Sequence, residues 1–255
     1  QSTTLALMAA HGEIGPMPDA AIFADTGWEP QAVYDHLDWL QSGNVLPFPI
    51  HRVQNIDLRQ TILDRAGQGA GRFVSVPFFL SGGGMSRRQC TREAKIEPIR
   101  KDVRRLLGVP PRAHATAYRV EQWIGISSDE IQRMAQPRES GITHRWPLIE
   151  QRMSRGDCLA WLDRHDYPRP PKSACIGCPF HTDAHWRDMQ RTDPASFSDA
   201  VQVDRARRAG GGARGLREAE FMHRTCRPLD QIDFEARTGG SQFSFLDECD
   251  GICGT

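Results

Sequence analysis

The stretch "DAAIFADTGWEPQAVYDHLDWLQS", residues 19–42, predicts a strand, a polar turn and a helix in immediate succession. Its first half is a short apolar run that ends at Asp25-Thr26-Gly27, as expected of a buried strand followed by a turn. In its second half Val33, Leu37 and Leu40 recur at helical spacing. Because open parallel sheets bind ligands beyond the carboxyl ends of their strands, the turn is a candidate binding segment.

The same alternation continues on both sides of this stretch. Further strands are predicted in "FPIHRV", "RFVSVPFFL" and "TAYRVEQWIGIS", and helices in "STTLALMAA", "DLRQTILDRA" and residues 88–107. We expect Pro98 to kink or divide the last helix, because proline has no backbone N–H to donate. The alternation favours an α/β fold of the Rossmann-like type, a mostly parallel sheet with helices on both faces.

A change of composition after about Gly141 marks a second region. The segment "PRPPKSACIGCPFH" is rich in proline and cysteine, which excludes a regular helix or central strand there. We therefore predict a nucleotide-binding α/β domain over residues 1–140. Residues 141–255 are expected to form a helical or irregular, cysteine-rich addition that binds a metal cluster.

The bulk composition narrows the class of protein. The 255 residues carry 32 basic and 32 acidic side chains, so no net positive field recruits nucleic acid, although a local basic patch stays open. No apolar run reaches the roughly 18–20 residues that span a bilayer, and no signal peptide is recognised, so we expect a cytoplasmic protein. In that compartment an odd number of cysteines, seven here, favours metal binding or catalysis over disulfides.

The pair Cys175 and Cys178 forms a C-x-x-C motif that by itself fits zinc, an iron–sulfur cluster or a redox dithiol. The surrounding prolines favour a rigid knuckle, which supplies two ligands and needs two more. Cys90 is a good candidate, because a helix start and nearby arginines favour its thiolate. The other candidates are Cys158, Cys226, Cys249, Cys253, His181 and His185.

A glycine-rich segment, "LSGGGMS", precedes two arginines, Arg87 and Arg88. Basic side chains at a helix start oppose the helix dipole, so an anionic partner would explain them. A guanidinium group can bind two phosphate oxygens through bidentate hydrogen bonds. We therefore expect both arginines to approach a nucleotide, with Lys95 and Arg133 as further candidates.

Several segments together resemble the phosphoadenosine phosphosulfate reductase superfamily, which is similar to the N-type ATP pyrophosphatases. They are "FADTGWEPQAVYDHL", "RRQCTREAKIEPIR", "WIGISSDEIQRM", "MSRGDC" and "SACIGCPFH", within residues 2–181. The resemblance implies a sheet of the adenine nucleotide alpha-hydrolase type. It also implies that a first strand and a phosphate loop come before residue 1.

The resemblance further implies a set of site residues. ATP is expected to contact Ser2, Thr3, Asp25, Thr26, Gly27, Gly125 and Arg133. Catalytic roles are expected for Asp25, Arg87, Arg88 and Lys95, with Mg²⁺ as a cofactor. A [4Fe–4S] cluster is expected on Cys90, Cys158, Cys175 and Cys178; the alternative is zinc, with His181 or His185 replacing one cysteine.

The implied reaction is that of an adenylating enzyme of the sulfur-transfer branch, similar to the DNA phosphorothioation sulfur-activating enzymes. A substrate oxygen attacks the α-phosphate of ATP, pyrophosphate leaves, and sulfur then displaces AMP. The acceptor is expected to be a nucleic acid, either a DNA phosphate or an RNA base. A cysteine desulfurase is the expected sulfur-donating partner.

Two alternatives remain open from the sequence. The first is a sulfonucleotide reductase, in which a cysteine of the tail "ECDGICGT", Cys249 or Cys253, would attack the sulfur of the substrate. The second is a zinc-binding module that recognises nucleic acid without catalysis. The oligomeric state is not indicated by any pattern.

Overall fold

A computed structural model describes residues 1–66, 76–110, 113–114, 118–137, 139–209 and 218–235. Its α-helices are α1 (Ser2–Ala10), α2 (Gln31–Gln41), α3 (Leu58–Ala66), α4 (Glu97–Leu106), α5 (Pro147–Glu150), α6 (Arg155–Arg164), α7 (Asp183–Thr192) and α8 (Pro194–Ala209). Its strands are β1 (Ala21–Ala24), β2 (Ile50–Val53), β3 (Phe79–Leu80), β4 (Val120–Trp123), β5 (Ile142–Arg145) and β6 (Glu220–Phe221). A π-helix spans Thr91–Ile96, and 3₁₀-helices span Ser128–Arg133 and Leu229–Gln231.

The predicted strand–turn–helix unit is confirmed. Strand β1 leads through the Asp25-Thr26-Gly27 turn into α2, which buries Val33, Leu37 and Leu40. Strand β2 pairs with β1 in parallel, and the Asp25 N–H extends the ladder by donating to the Val53 carbonyl at 2.8 Å. The turn therefore begins at the carboxyl end of a parallel pair, as expected.

A second parallel pair joins β4 to β5, with Val120 opposite Ile142 and Trp123 opposite Arg145. The predicted domain boundary after residue 140 falls in the connection between these two paired strands. Residues 1–140 and the residues that follow therefore share a sheet at this point.

The strand predicted in "RFVSVPFFL" is wrong as a parallel strand. Of its described residues, 76–80, only Phe79–Leu80 belongs to a strand, and this strand pairs antiparallel with β6. Pro77 has no N–H to donate, and the Phe78 N–H is taken by the Val76 carbonyl at 2.8 Å and by the Ser86 hydroxyl at 3.0 Å. Among residues 76–80 the pairing with β6 therefore begins at Phe79. Residues 72–75 lie outside the described ranges.

The long helix changes type beside Pro98 rather than dividing there. The π-helix ends at Ile96 and α4 follows directly, because Ile96 and Glu97 both have helical backbone angles and the Glu97 N–H still donates to the Arg92 carbonyl. The predicted apolar stripe is only partly buried, however. Val103 is buried, whereas Leu106 and Leu107 are 43% and 42% exposed.

Two clusters of buried side chains stabilise the molecule. The first core consists of Trp28, Leu58, Ile62, Val76, Phe78, Ile176, Trp186, Met189, Ala200, Val203, Met222, Leu229, Ile232 and Phe234. The second core consists of Leu5, Leu7, Met8, Ile14, Leu148, Cys158, Trp161 and Leu162. Each core takes residues from both sides of residue 140, so the described residues do not divide into two cores at that boundary.

A groove of about 500 Å³ runs past both parallel pairs. Its walls include residues 20–22 at β1, residues 119–123 at β4, and the partly exposed Leu106 and Leu107 of α4. The fold is mixed α/β with short parallel sheets. Within the described ranges the strands form three separate pairs, and the expected single sheet is not seen. None of the helices in these ranges has the length and apolar character of a membrane span.

Candidate metal centre

The C-x-x-C motif forms a compact knuckle that docks on the loop after β1. The Cys178 N–H donates to the Cys175 carbonyl at 3.1 Å, and the Ile176 N–H donates to the Trp28 carbonyl at 2.8 Å. A Cβ on Gly177 would overlap the Trp28 ring and lie 2.9 Å from Met222 Cε. Only glycine therefore lets the knuckle approach Trp28 this closely.

Three of the predicted metal ligands share one small cavity of about 30 Å³. Cys175 and Cys178 come from the knuckle, and Cys90 comes from the residue before the π-helix. The rest of the wall is mostly apolar and includes Leu58, Val76, Pro77 and Ala94. π-Helical turns are rare and are often found at functional sites. The cavity thus joins the glycine–arginine segment, the β1 loop and the C-terminal region.

The Cys175 thiol lies against two polar side chains of the β1 loop. It donates to Thr26 Oγ1 at 3.4 Å and to Glu29 Oε1 at 3.7 Å. Burial raises the pKa of Cys175 well above its ordinary value, the Glu29 charge adds to this increase, and Lys95 opposes it. The site therefore holds a neutral thiol whose proton a metal ion would have to displace.

Glu29 is the unexpected polar group of this site. It is only 4% exposed, and its Oε1 accepts from Thr26 Oγ1 at 3.0 Å. Within the described part of the chain its Oε2 has no hydrogen-bond partner. A buried carboxylate oxygen without a partner is costly. Glu29 does not itself line the cavity, but its Oε1 lies 3.7 Å from Cys175 Sγ, which does.

His181 contacts the backbone of the C-x-x-C knuckle. Its Nε2 lies 2.9 Å from the Cys175 carbonyl, and burial lowers its pKa well below the ordinary value. The neutral ring therefore donates to the knuckle backbone. This contact engages the Nε2 atom of His181 with the protein backbone.

The structure does not bring Cys158 to this cavity. Cys158 lies in the second core, near the start of α6, packed among apolar side chains. Burial raises the pKa of Cys158, and the Cys158 carbonyl accepts from Thr4 Oγ1 at 3.4 Å. The expected convergence of four sulfurs is thus corrected to three, because α6 packs its Cys158 face against α1.

The three cavity cysteines do not form a compact ligand set for a single ion. Four ligands at a Zn–S distance of about 2.3 Å lie about 3.8 Å from one another. Among the described residues, the Sγ atoms of Cys90, Cys175 and Cys178 do not all lie within 4.8 Å of one another. The three thiols therefore share one cavity without the spacing of a single-ion site. Two oxygen atoms lie near Cys175 Sγ, Thr26 Oγ1 at 3.4 Å and Glu29 Oε1 at 3.7 Å.

Asp25 proves to be an organiser of its own loop. Its Oδ1 accepts from the Gly27 N–H at 2.7 Å and from the Tyr34 hydroxyl at 3.0 Å, and its Oδ2 pairs with Arg52 at 2.8 Å. Gly27 has a φ of +71°, which favours glycine at the turn. The carboxylate that was expected to act in catalysis is therefore engaged within the protein.

The other predicted nucleotide ligands lie at the ends of α1 and β4. Ser2 packs directly on Gly125, where an added Cβ would lie 2.7 Å from the Ser2 hydroxyl. Thr3 Oγ1 lies 3.1 Å from His36 Nε2 on α2, and Arg133 is paired with Glu130. Ser2 and Gly125 are thus brought together, whereas Thr3 and Arg133 have partners within the protein.

The predicted cationic residues differ in position. Arg88 and Lys95 line the cysteine cavity, and the Arg88 guanidinium stacks on the Phe180 ring at 5.2 Å from its centroid. Arg87 is exposed. The tail cysteines Cys249 and Cys253 lie outside the described residues.

Sequence reasoning missed Glu29 and the docking role of Trp28. Both residues follow the Asp25-Thr26-Gly27 turn directly, but their contacts with the knuckle join segments about 146 residues apart, which no local pattern indicates. Comparison with protein-family models, with curated proteins and with solved structures gives no match for this chain.

Proposed function

We propose that this chain is an ATP-dependent sulfur-transfer enzyme of the ATP pyrophosphatase type with a cysteine-held metal centre. One observation supports it above the others. Thr26, in the loop at the carboxyl end of β1, lies 3.4 Å from Cys175 Sγ. Nucleotide loops occupy that position in parallel α/β folds, so a bound nucleotide and the metal centre would be neighbours.

In this proposal Cys90, Cys175 and Cys178 hold a [4Fe–4S] cluster, and Glu29 replaces Cys158 as the fourth ligand. Carboxylates are oxygen donors that iron accepts alongside thiolates. Lys95 and Arg88, both on the cavity wall, would offset the negative charge of the ligands. When bound, the cluster would supply iron that carries sulfur or electrons to the reaction.

The nucleotide would lie beyond the ends of β1 and β4. The first turn of α1 has no side-chain cap and contains no acidic residue, so its backbone N–H groups are suited to phosphate. Ser2, on Gly125, would approach the phosphates, and Mg²⁺ would neutralise them. A substrate oxygen would bond to the α-phosphorus as pyrophosphate leaves, and a sulfur nucleophile would then displace AMP.

The proposal includes a nucleic acid as the acceptor and a cysteine desulfurase as the sulfur source. The exposed Arg87 beside the cavity suits a phosphate-bearing acceptor. The same site would be reached by a partner that delivers sulfur. Both partners follow from the proposed reaction, and pull-down with radiolabelled sulfur transfer would identify them.

We also propose that the two parallel pairs belong to one doubly wound sheet. This arrangement requires one further parallel strand in the groove between β1 and β4. The groove is bordered by the apolar residues Met17, Leu106 and Leu107, which are 42–48% exposed. Adding a short apolar strand peptide should bury them and raise the melting temperature; an unchanged melting temperature would contradict the single sheet.

The deciding experiment is anaerobic purification with iron and sulfide analysis, followed by an ATP–pyrophosphate release assay. We expect about four iron atoms per chain and release of pyrophosphate that depends on the acceptor. Cys175→Ser should lose the iron, whereas the control Cys226→Ser should retain it, because Cys226 contacts the Leu80 carbonyl outside the cavity. Iron-free protein from the anaerobic preparation would contradict the metal centre.

Sulfite release distinguishes the alternative, a sulfonucleotide reductase, from the proposed pyrophosphatase. If the protein instead releases sulfite from an adenylyl sulfate, and Cys249→Ser or Cys253→Ser abolishes that release, the pyrophosphatase proposal fails. Glu29→Gln tests the fourth ligand, because the amide keeps an acceptor for Thr26. We expect iron to fall towards about three atoms per chain and the electron paramagnetic resonance spectrum to change; an unchanged spectrum would exclude Glu29.

A further inference from the structure

A group of three potential metal ligands lies on the second core, on segments that do not line the cysteine cavity. His11 caps the C-terminus of α1, Glu13 follows two residues later, and His165 caps the C-terminus of α6. One ligand atom from each lies within 4.8 Å of the others, and His165 Nε2 is 3.8 Å from Glu13 Oε1. The group therefore joins the ends of two helices.

The remaining polar atoms of these side chains are held by neighbours. His165 Nδ1 lies 2.9 Å from the Trp161 carbonyl, and Glu13 Oε2 accepts from Trp161 Nε1 at 2.9 Å. His11 Nε2 contacts the Tyr167 hydroxyl at 2.9 Å, which leaves its Nδ1 for a ligand. Metal-binding histidines and carboxylates are oriented by second contacts of this kind.

From this arrangement we propose that His11, Glu13 and His165 form a second metal site, for a divalent transition-metal ion such as Zn²⁺. Two imidazole nitrogens and one carboxylate are a zinc ligand set that leaves a fourth position for water or substrate. Ligands at Zn distances of about 2.0–2.2 Å lie about 3.4 Å apart. His165 Nε2 and Glu13 Oε1 lie 3.8 Å apart, so these two atoms would move only about 0.4 Å closer on binding zinc.

The aromatic packing around the group keeps it rigid. The Trp161 and His165 rings stack at 4.0 Å, and His11 meets Trp161 edge to face at 5.5 Å. A simple His165–Glu13 ion pair would explain one of these contacts, but it would not place His11 beside both partners. The proposal is independent of the cysteine centre and of the proposed reaction.

Titration with Co²⁺ tests the site, because cobalt bound by nitrogen and oxygen shows visible bands without the thiolate charge-transfer band of cysteine-bound cobalt. We expect one equivalent of such cobalt in the anaerobically purified protein. Glu13→Gln keeps an acceptor for Trp161, and His165→Gln removes a ligand; each should weaken this binding at least tenfold. His144→Gln, a half-buried histidine on β5 outside the group, should bind as tightly as the wild type.

Zinc binding should also raise the melting temperature of the wild type and of His144→Gln, but not that of Glu13→Gln, because only a folded site binds the ion. Circular dichroism confirms that each variant is folded. The proposal is overturned if cobalt binds only with a thiolate band. It is equally overturned if Glu13→Gln and His165→Gln bind nitrogen- and oxygen-ligated cobalt as tightly as the wild type.

Discussion

Cys175 beside the first core and Cys158 in the second core have the same side chain in different surroundings. The Cys175 thiol reaches Thr26 and Glu29 and feels the charge of Lys95. The Cys158 side chain packs among leucine, methionine and tryptophan, where a thiol behaves as a small hydrophobic group. The polar neighbours, rather than the residue type, therefore distinguish a candidate ligand from a packing residue.

The largest effect is expected where the knuckle meets Trp28. In Gly177→Ala the new methyl group would overlap the indole, so the knuckle must move away. We expect the free energy of unfolding to fall by about 3 kcal/mol, as for overpacked sites, together with loss of bound iron. Urea denaturation and iron analysis measure both.

The matched control is Gly156→Ala in α6, beside the second core. Its new methyl group would meet only Ser154 Oγ, at 3.5 Å. Because alanine favours helices over glycine, stability should rise by about 0.5–1 kcal/mol. Equal destabilisation in both variants would contradict a specific role for the contact between Gly177 and Trp28.

An intermediate effect on metal binding and stability is expected when one cysteine of each region is replaced by alanine. Cys178→Ala should lose the metal, because Cys178 lines the cavity. Cys158→Ala should keep the metal and lose only about 1 kcal/mol of stability, a usual cost for a core substitution. If Cys158→Ala instead lost its iron while remaining folded, the four-cysteine set would be restored and the separation of the two regions would be wrong.

The smallest effect concerns the loop beside the first core. Burial raises the pKa of Tyr34 to about 12, and the hydrogen bond to Asp25 acts in the same direction. Between about pH 10 and about pH 12 the unfolded chain loses this proton while the folded protein keeps it, so stability should fall as the pH rises through that range. Tyr34→Phe should show a shallower decline in urea denaturation, and identical slopes would contradict the burial of the phenol.

Much of the local structure was predictable from sequence. The unit β1–turn–α2 follows from an apolar run, a polar turn and helical spacing, all of which act over neighbouring residues. The helix predicted over residues 88–107 is also present, and it changes from π to α just before Pro98. Of the candidate site, the knuckle and its proximity to Cys90 were expected, and Glu29 was not, because an isolated glutamate in a turn carries no periodic signal.

The sequence by itself determined the elements whose causes are local: the strand–turn–helix unit, the helix that contains Pro98 and the rigid C-x-x-C knuckle. Only the tertiary structure decided which distant segments meet. It packed Cys158 of α6 against α1, docked Gly177 on Trp28, and buried Glu29 beside Cys175. The physical reason is that spacing along the chain fixes the face of a helix or turn, whereas the partner of that face is set by packing between elements far apart in sequence.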